Sequence, residues 1–241
     1  TTDTAQIPAE VLERARAHLD EVEREAAAAG VTCDTEVIRT TLRFYQEIVN
    51  QADQMQANLI VMGRRGKRGF ARVRLGQATA KVIGHAHCSV LVVPRNTETT
   101  GRRFVLATDG SRYADAATDI GGSLAKVLGA PVTAVSVTLP SQSAQRHEEA
   151  RSAANRAAAY LASHGLTTEA ETRHGRPDEA IVEIATAKQA DLIVVGSHGR
   201  TGLERLLMGS VAERVMREAP CSVLVVKLPR GVPATETVDT A

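Results

Sequence analysis

The residues with the clearest chemical potential lie in Val195-Gly196-Ser197-His198-Gly199-Arg200, with Gly209-Ser210 after a further nine residues. The run 191–195 before them is short, apolar and β-branched, the pattern of a strand buried on both faces of a parallel sheet. Gly196 and Gly199 permit backbone angles and close approaches that a Cβ would forbid, so amide N–H groups can face a ligand in place of a side chain. Ser210 reads as the N-cap of a helix over 211–218, where free N–H groups and the positive end of the helix dipole favour an anion. Strand, glycine turn and helix together read as a phosphate site. The spacing is Gly-x2-Gly-x9-Gly-Ser, which is neither the Walker pattern nor the Gly-x-Gly-x-x-Gly turn of dinucleotide-binding folds.

The elements that must position this turn occur twice. Residues 57–93, from Ala57-Asn-Leu-Ile-Val-Met-Gly63 to Cys88-Ser-Val-Leu-Val-Val93, align without a gap on residues 190–226 at an offset of 133 residues. A period of that size predicts two domains rather than a solenoid, and 241 residues suit two small α/β units. The expected boundaries are 1–94 and 103–227, with a polar linker over 95–102 and a flexible Pro- and Thr-containing tail over 228–241. In the second half, strands are expected over 103–108, 131–139, 167–173, 191–195 and 221–226. Helices are expected over 113–128, 145–164, 177–189 and 211–218, the third with proline in its first turn. Strands alternating with helices predict a parallel sheet covered on both faces.

The glycine spacing, the trailing serine and the flanking strands resemble the universal stress protein family, in its ATP-binding subgroup. The resemblance implies two tandem doubly wound five-stranded domains, Rossmann-like or flavodoxin-like, with strand order 3-2-1-4-5. The ligand would lie beyond the carboxyl ends of strands 1 and 4. By the same resemblance Ala107 and Thr108 border the base, Asp109 touches the adenosine or a phosphate-bound metal, and Val135 contacts the adenine. Val195, Gly196, Ser197, His198 and Gly199 wrap the ribose and phosphates, and Gly209, Ser210 and Val211 complete the cradle. Arg200 is either a phosphate neighbour or a solvated loop residue. The ligand implied is ATP, ADP or AMP, with Mg2+ or Mn2+ on the phosphates. No resident metal site and no catalytic set are expected.

Blander readings stand beside these. Asp109 or Ser111 would serve equally as the cap of the next helix. His198 reads either as an acid–base group beside phosphate or as a turn residue without chemistry. Gly175-Arg-Pro177 resembles a family turn at the pocket edge, and its simplest role is helix initiation.

The first half keeps Gly63-Arg-Arg-Gly66 and Gly76, but Gln77 replaces the serine, and Leu42 and Phe44 replace Gly175 and Pro177. It opens on the equivalent of the second helix, over 8–29, so the first strand, first helix and most of the second strand are missing. The expectation is a truncated or processed longer chain, or a strand supplied by a partner chain. Its nucleotide site is therefore read as degenerate. Six basic residues over 64–74 would attract phosphate, an acidic partner or nucleic acid, yet only Phe70 interleaves them and the net charge is +1, which argues against nucleic acid. His85-Ala-His87-Cys88 has metal-ligand residue types. The aligned Cys221 opens a strand with no histidines beside it, so Cys88 reads as a packing residue.

With 43% hydrophobic but only 2% aromatic residues, the cores must be aliphatic, and base-stacking platforms are scarce. Three cysteines fit a reducing compartment, and no apolar run approaches the length of a membrane span, so a cytoplasmic protein is expected. The function expected is nucleotide-dependent regulation of a stress response. A slow ATPase or nucleotidyl transferase and a ligand-free interaction scaffold are the alternatives. In the nucleotide reading, occupancy orders the segment 200–208, whose Leu203, Leu206, Leu207 and Met208 then face a protein partner; the alternative is that these leucines simply pack on the sheet. The resemblance also implies that the last strands of two domains pair about a twofold axis, which 90–93 and 223–226 would do within one chain as a pseudo-dimer, with a homodimer outside it left open.

Overall fold

The computed structural model describes residues 8–64, 75–95, 97, 100–200 and 208–228. It falls into two compact units, residues 1–43 and 44–241. The first holds α1 (Ala9–Ala28), none of whose residues is buried, and residues 31–43 without regular structure.

The second unit is built on one seven-stranded sheet. Its elements run α2 (Phe44–Gln54), β1 (Leu59–Gly63), α3 (Gln77–His85), β2 (Ser89–Val93), β3 (Phe104–Ala107), α4 (Arg112–Leu128) and β4 (Val132–Thr138). They continue with α5 (Ala144–Ser163), β5 (Thr168–His174), α6 (Pro177–Ala187), β6 (Leu192–Gly196), α7 (Ser210–Glu218) and β7 (Ser222–Val226). The strand order is β1-β2-β7-β6-β3-β4-β5. Within the second half this reads 3-2-1-4-5 from the β5 edge, and every neighbouring pair there is parallel.

The first half contributes β1 and β2, parallel to each other, and β2 joins β7 antiparallel. The register Val90↔Val225, Leu91↔Leu224, Val92↔Val223 is centred on Leu91 and Leu224, which are equivalent positions of the repeat. That pairing merges the two halves into one sheet. The implied third strand of the first half is not formed: the aligned segment, 35–41, has no ladder partner among the described residues. A strand without a neighbour leaves its backbone groups to water, so the segment stays irregular.

Alternation along the strands makes two cores. Val105, Ile193, Val195, Val223 and Val225 face one side, with Ile181 and Ile184 of α6 and Val215 and Met216 of α7. Val82, Ile83, Val90 and Val92 of the first half continue this layer. Phe104, Leu106, Leu192, Val194, Leu224 and Val226 face the other side, under α4 and α5. Alanines 150, 153, 154, 157 and 158 line the inner face of α5, so that helix lies close to the sheet without large side chains. Ser111 caps α4 by accepting from Ala114 N at 3.3 Å, and Gly129, with φ +66°, ends it in the left-handed conformation.

The linker is fastened at Asp191. Burial opposes ionisation of its carboxyl, but hydrogen bonds from Arg102 N, Thr100 Oγ1 and Arg103 N hold it below the usual range. No helix among the described residues is long and apolar enough to cross a membrane.

Candidate nucleotide site

At β3 and β6 the sheet reverses its winding, because the chain goes outward through β4 and β5 on one side and through β7 on the other. Strand ends diverge at such a point and leave a crevice beyond their carboxyl ends. A cavity of about 370 Å³ lies there. Its wall includes Ala107, Thr108 and Asp109 from the end of β3, Val135 from β4, and Val195 and Gly196 from β6. His198, Gly199 and Arg200 of the loop, and Gly209, Ser210 and Val211 at the start of α7, complete that side.

Ser197 is the exception among the expected residues. It is buried behind the loop, where its N–H donates to Val226 O at 2.8 Å and its carbonyl accepts from Gly209 N at 2.8 Å. It shapes the turn and is not part of the cavity wall. The expected helix cap also differs. Ser210 is the first helical residue, and Gly209, with φ −67° and ψ 143°, is the N-cap without a side-chain hydrogen bond. A Cβ on Gly209 would lie 3.2 Å from Ser197 O and 3.3 Å from His198 Cα, which leaves little room for a capping side chain. The first half follows the same rule, with Gly76 as N-cap and Gln77 inside α3, so the replacement of serine by glutamine removes no cap there.

Close approach, not unusual dihedral angles, explains Gly196 and Gly199, since neither has positive φ. A Cβ on Gly196 would lie 2.8 Å from the Tyr113 carbonyl oxygen, and one on Gly199 would lie 2.7 Å from Asp109 Oδ2. Asp109 spans the crevice: its Oδ1 accepts from Ser111 N at 3.0 Å and its Oδ2 from Arg200 N at 2.8 Å. Ser111, not Asp109, caps α4. The Asp109 carboxylate instead ties the glycine loop to the β3 turn.

Donors for an anion come from the first turn of α7. Its first intrahelical bond there is Glu213 N to Gly209 O, so the N–H groups of Ser210, Val211 and Ala212 precede the ladder and end at the cavity. Arg146 and Arg200 also line the cavity, and both donate to Glu149 Oε2, at 2.9 and 2.8 Å. Hydrogen bonds from Arg146 and Arg200 hold the Glu149 carboxyl below its ordinary range. The His198 ring packs against Tyr113 with centroids 5.0 Å apart, and its Nδ1 is 3.2 Å from Ser197 Oγ.

Sequence reasoning missed Ser136, Gln142, Arg146, Ala150 and Ile181 on this wall. They sit on β4, α5, α6 and the turn before α5, and no local pattern marks them. Pro177 also lines the cavity, next to Gly175 with φ +139° and the N-cap Arg176.

Other expectations find different surroundings. His85 stacks on Tyr45, whereas His87 Nε2 is 3.8 Å from Asp53 Oδ2, so the two imidazoles have separate partners. Leu203, Leu206 and Leu207, the basic residues 65–74 and the tail from 229 onward lie outside the described residues.

The comparisons agree with this architecture. A solved universal stress protein from Archaeoglobus fulgidus shares the fold, with a TM-score of 0.71 at 23% identity over 95% of this chain and 83% of that one. A universal stress protein of Methanocaldococcus jannaschii is 38% identical over 149 residues, covering 56% of this chain and 88% of its own length. Another, from Mycolicibacterium smegmatis, is 28% identical over 210 residues, covering 82% of this chain and 70% of its own. The profile of the universal stress protein family matches residues 1–94 and again 101–227, and the chain therefore belongs to that family.

Proposed function

We propose that the second half binds an adenine nucleotide in the crevice between β3 and β6 and that its occupancy is a regulatory signal. The observation that carries this reading is the composition of one wall. Val135, Ile181 and Val195 offer an apolar surface for a base, while the N-terminus of α7, Arg146 and Arg200 offer donors for phosphates. In this reading Ala107 and Thr108 border the base, and Gly196, His198, Gly199, Gly209, Ser210 and Val211 surround the ribose and phosphates. Ser197 acts from behind by fixing the turn.

Both Asp109 oxygens accept backbone N–H groups, which fits a residue that orients the loop rather than one that moves protons. A Mg2+ or Mn2+ ion would ride on the phosphates, with Asp109 as the carboxylate on the cavity wall. Among the described residues no group of three or more His, Cys, Asp or Glu is placed to hold a metal. Such an ion would supply charge neutralisation to the bound triphosphate. The antiparallel β2–β7 pairing would act as an intrachain pseudo-dimer interface.

The test is to identify small molecules released on denaturing purified protein, beside a Gly209→Val, Ser210→Ala double variant. Adenine nucleotide released from the wild type and absent from the variant is the expected result. An empty wild type that also fails to bind added ATP, ADP or AMP overturns the reading.

A further inference from the structure

A second cavity, of about 610 Å³, lies where the amino end of β2 meets the carboxyl end of β7, and it shares no lining residue with the nucleotide crevice. Its wall includes Leu59, Ile120, Leu124 and Leu224 together with Asp53, His87, Cys88 and Lys227. The antiparallel β2–β7 register brings the chain just before β2 beside the chain just after β7, and Cys88 and Lys227, from those two segments, line the same cavity. Lys227 N donates to Ser89 Oγ at 3.4 Å, which keeps the two chains together beyond the ladder.

Two nucleophile-bearing residues therefore meet at an apolar cavity. Burial pushes the Lys227 ammonium down to about 8, and the Cys88 thiol, which acts in the other direction, does not restore it. About a tenth of the amine is then uncharged at pH 7, far more than for a lysine at its ordinary value. Cys88 is half-buried and so accessible.

The repeat supplies an internal control. The equivalent position at the other end of the ribbon sets Cys221 opposite Pro94, with no amine. Burial pushes the Cys221 thiol up to about 12, which leaves it inert.

We propose that Cys88 and Lys227 form an acyl-acceptor site that takes a short or medium acyl group from an acyl thioester lodged in this cavity. The Cys88 thiolate attacks the thioester carbonyl, forming a new C–S bond and expelling the donor thiol. The Lys227 amine then attacks the Cys88 thioester, forming an amide. The Cys88–acyl bond breaks, and the amine's proton passes to solvent or to the regenerated thiol. No oxidant or reductant is needed, and the product is an Nε-acyl-lysine, neutral and compatible with the apolar wall. The site stands apart from the nucleotide crevice and does not depend on that reading.

The test incubates the full chain with octanoyl-coenzyme A or acetyl-coenzyme A and follows adducts by intact mass and peptide mapping. Expected is a hydroxylamine-resistant adduct on Lys227, formed at least about tenfold faster than on the exposed Lys126, and faster still with octanoyl than with acetyl. Cys88→Ala should slow it about tenfold. Lys227→Arg should trap a hydroxylamine-labile adduct on Cys88. The rate at Lys227 should rise with pH and level off above about 8, with Asp53, His87 and Cys88 as the other titratable groups on that wall. Circular dichroism of both variants checks that they fold. Acylation of Lys227 no faster than of Lys126, or a Cys88→Ala rate equal to wild type, overturns the proposal.

Discussion

The two glycine loops of this chain are built alike and face different surroundings. In the first half Arg64 N donates to Val93 O at 2.8 Å and Gly76 N to Arg64 O at 2.9 Å. In the second half Ser197 N donates to Val226 O and Gly209 N to Ser197 O, both at 2.8 Å. The second loop looks across at β3, Asp109 and the first turn of α4. The first follows β1, which ends the sheet, and among the described residues no strand stands beyond it. A glycine loop and a helix N-terminus follow from local sequence, but a crevice also needs an opposite wall, and among the described residues the second half supplies one while the first does not.

The strands feeding the loops sharpen the contrast. Leu192 is fully buried, whereas its repeat equivalent Leu59 is 43% exposed. Leu192→Ala should therefore cost about 3 kcal/mol in denaturant unfolding, and Leu59→Ala under about 1 kcal/mol. Equal losses would mean that the outer face of β1 is covered in solution and that the contrast is false.

Next in size is the effect on the proposed ligand. Gly199→Val drives a side chain into Asp109 and should weaken ATP binding at least about 100-fold by calorimetry, whereas Gly66→Val in the first-half loop should leave it unchanged. An effect of both would place a working site in each half.

Lys227 tests the two ends of the β2–β7 ribbon. Burial lowers its ammonium from 10.5 to about 8, so the unfolded chain holds more protons between those values and stability rises with pH through that window. Lys227→Met should add about 2 kcal/mol at pH 7, a gain that fades as the pH approaches 10.5. A pH-independent gain would show that packing, not charge burial, is the cause.

The smallest expected effect is that of Glu149→Gln. The two arginines holding this half-buried carboxylate are largely solvated, so the melting temperature should barely change at neutral pH. The substitution should instead tighten ATP binding relative to AMP, because Arg146 and Arg200 lose their neutralising partner. Unchanged selectivity would remove both arginines from the proposed phosphate contacts.

Much of the fold is legible because the offset of 133 carries each element of one half onto the other: α2 onto α6, β1 onto β6, α3 onto α7 and β2 onto β7. Local propensity placed Ser210 at the cap, and the close approach of Ser197 and His198 to Gly209 moved the cap one residue back. Arg146 and Gln142 were invisible on the wall because their position depends on how α5 and its preceding turn lie over β4.

The sequence by itself determined the repeat, the alternation of strands and helices, and the glycine turn, since these rest on periodicity and backbone sterics. Only the tertiary structure decided the register in which β2 joins β7, that segment 35–41 forms no strand, and that Cys88 and Lys227 line one cavity. Each of those depends on which strand lies beside which. Ladder partners and burial arise between residues distant in the chain, and no local pattern encodes them.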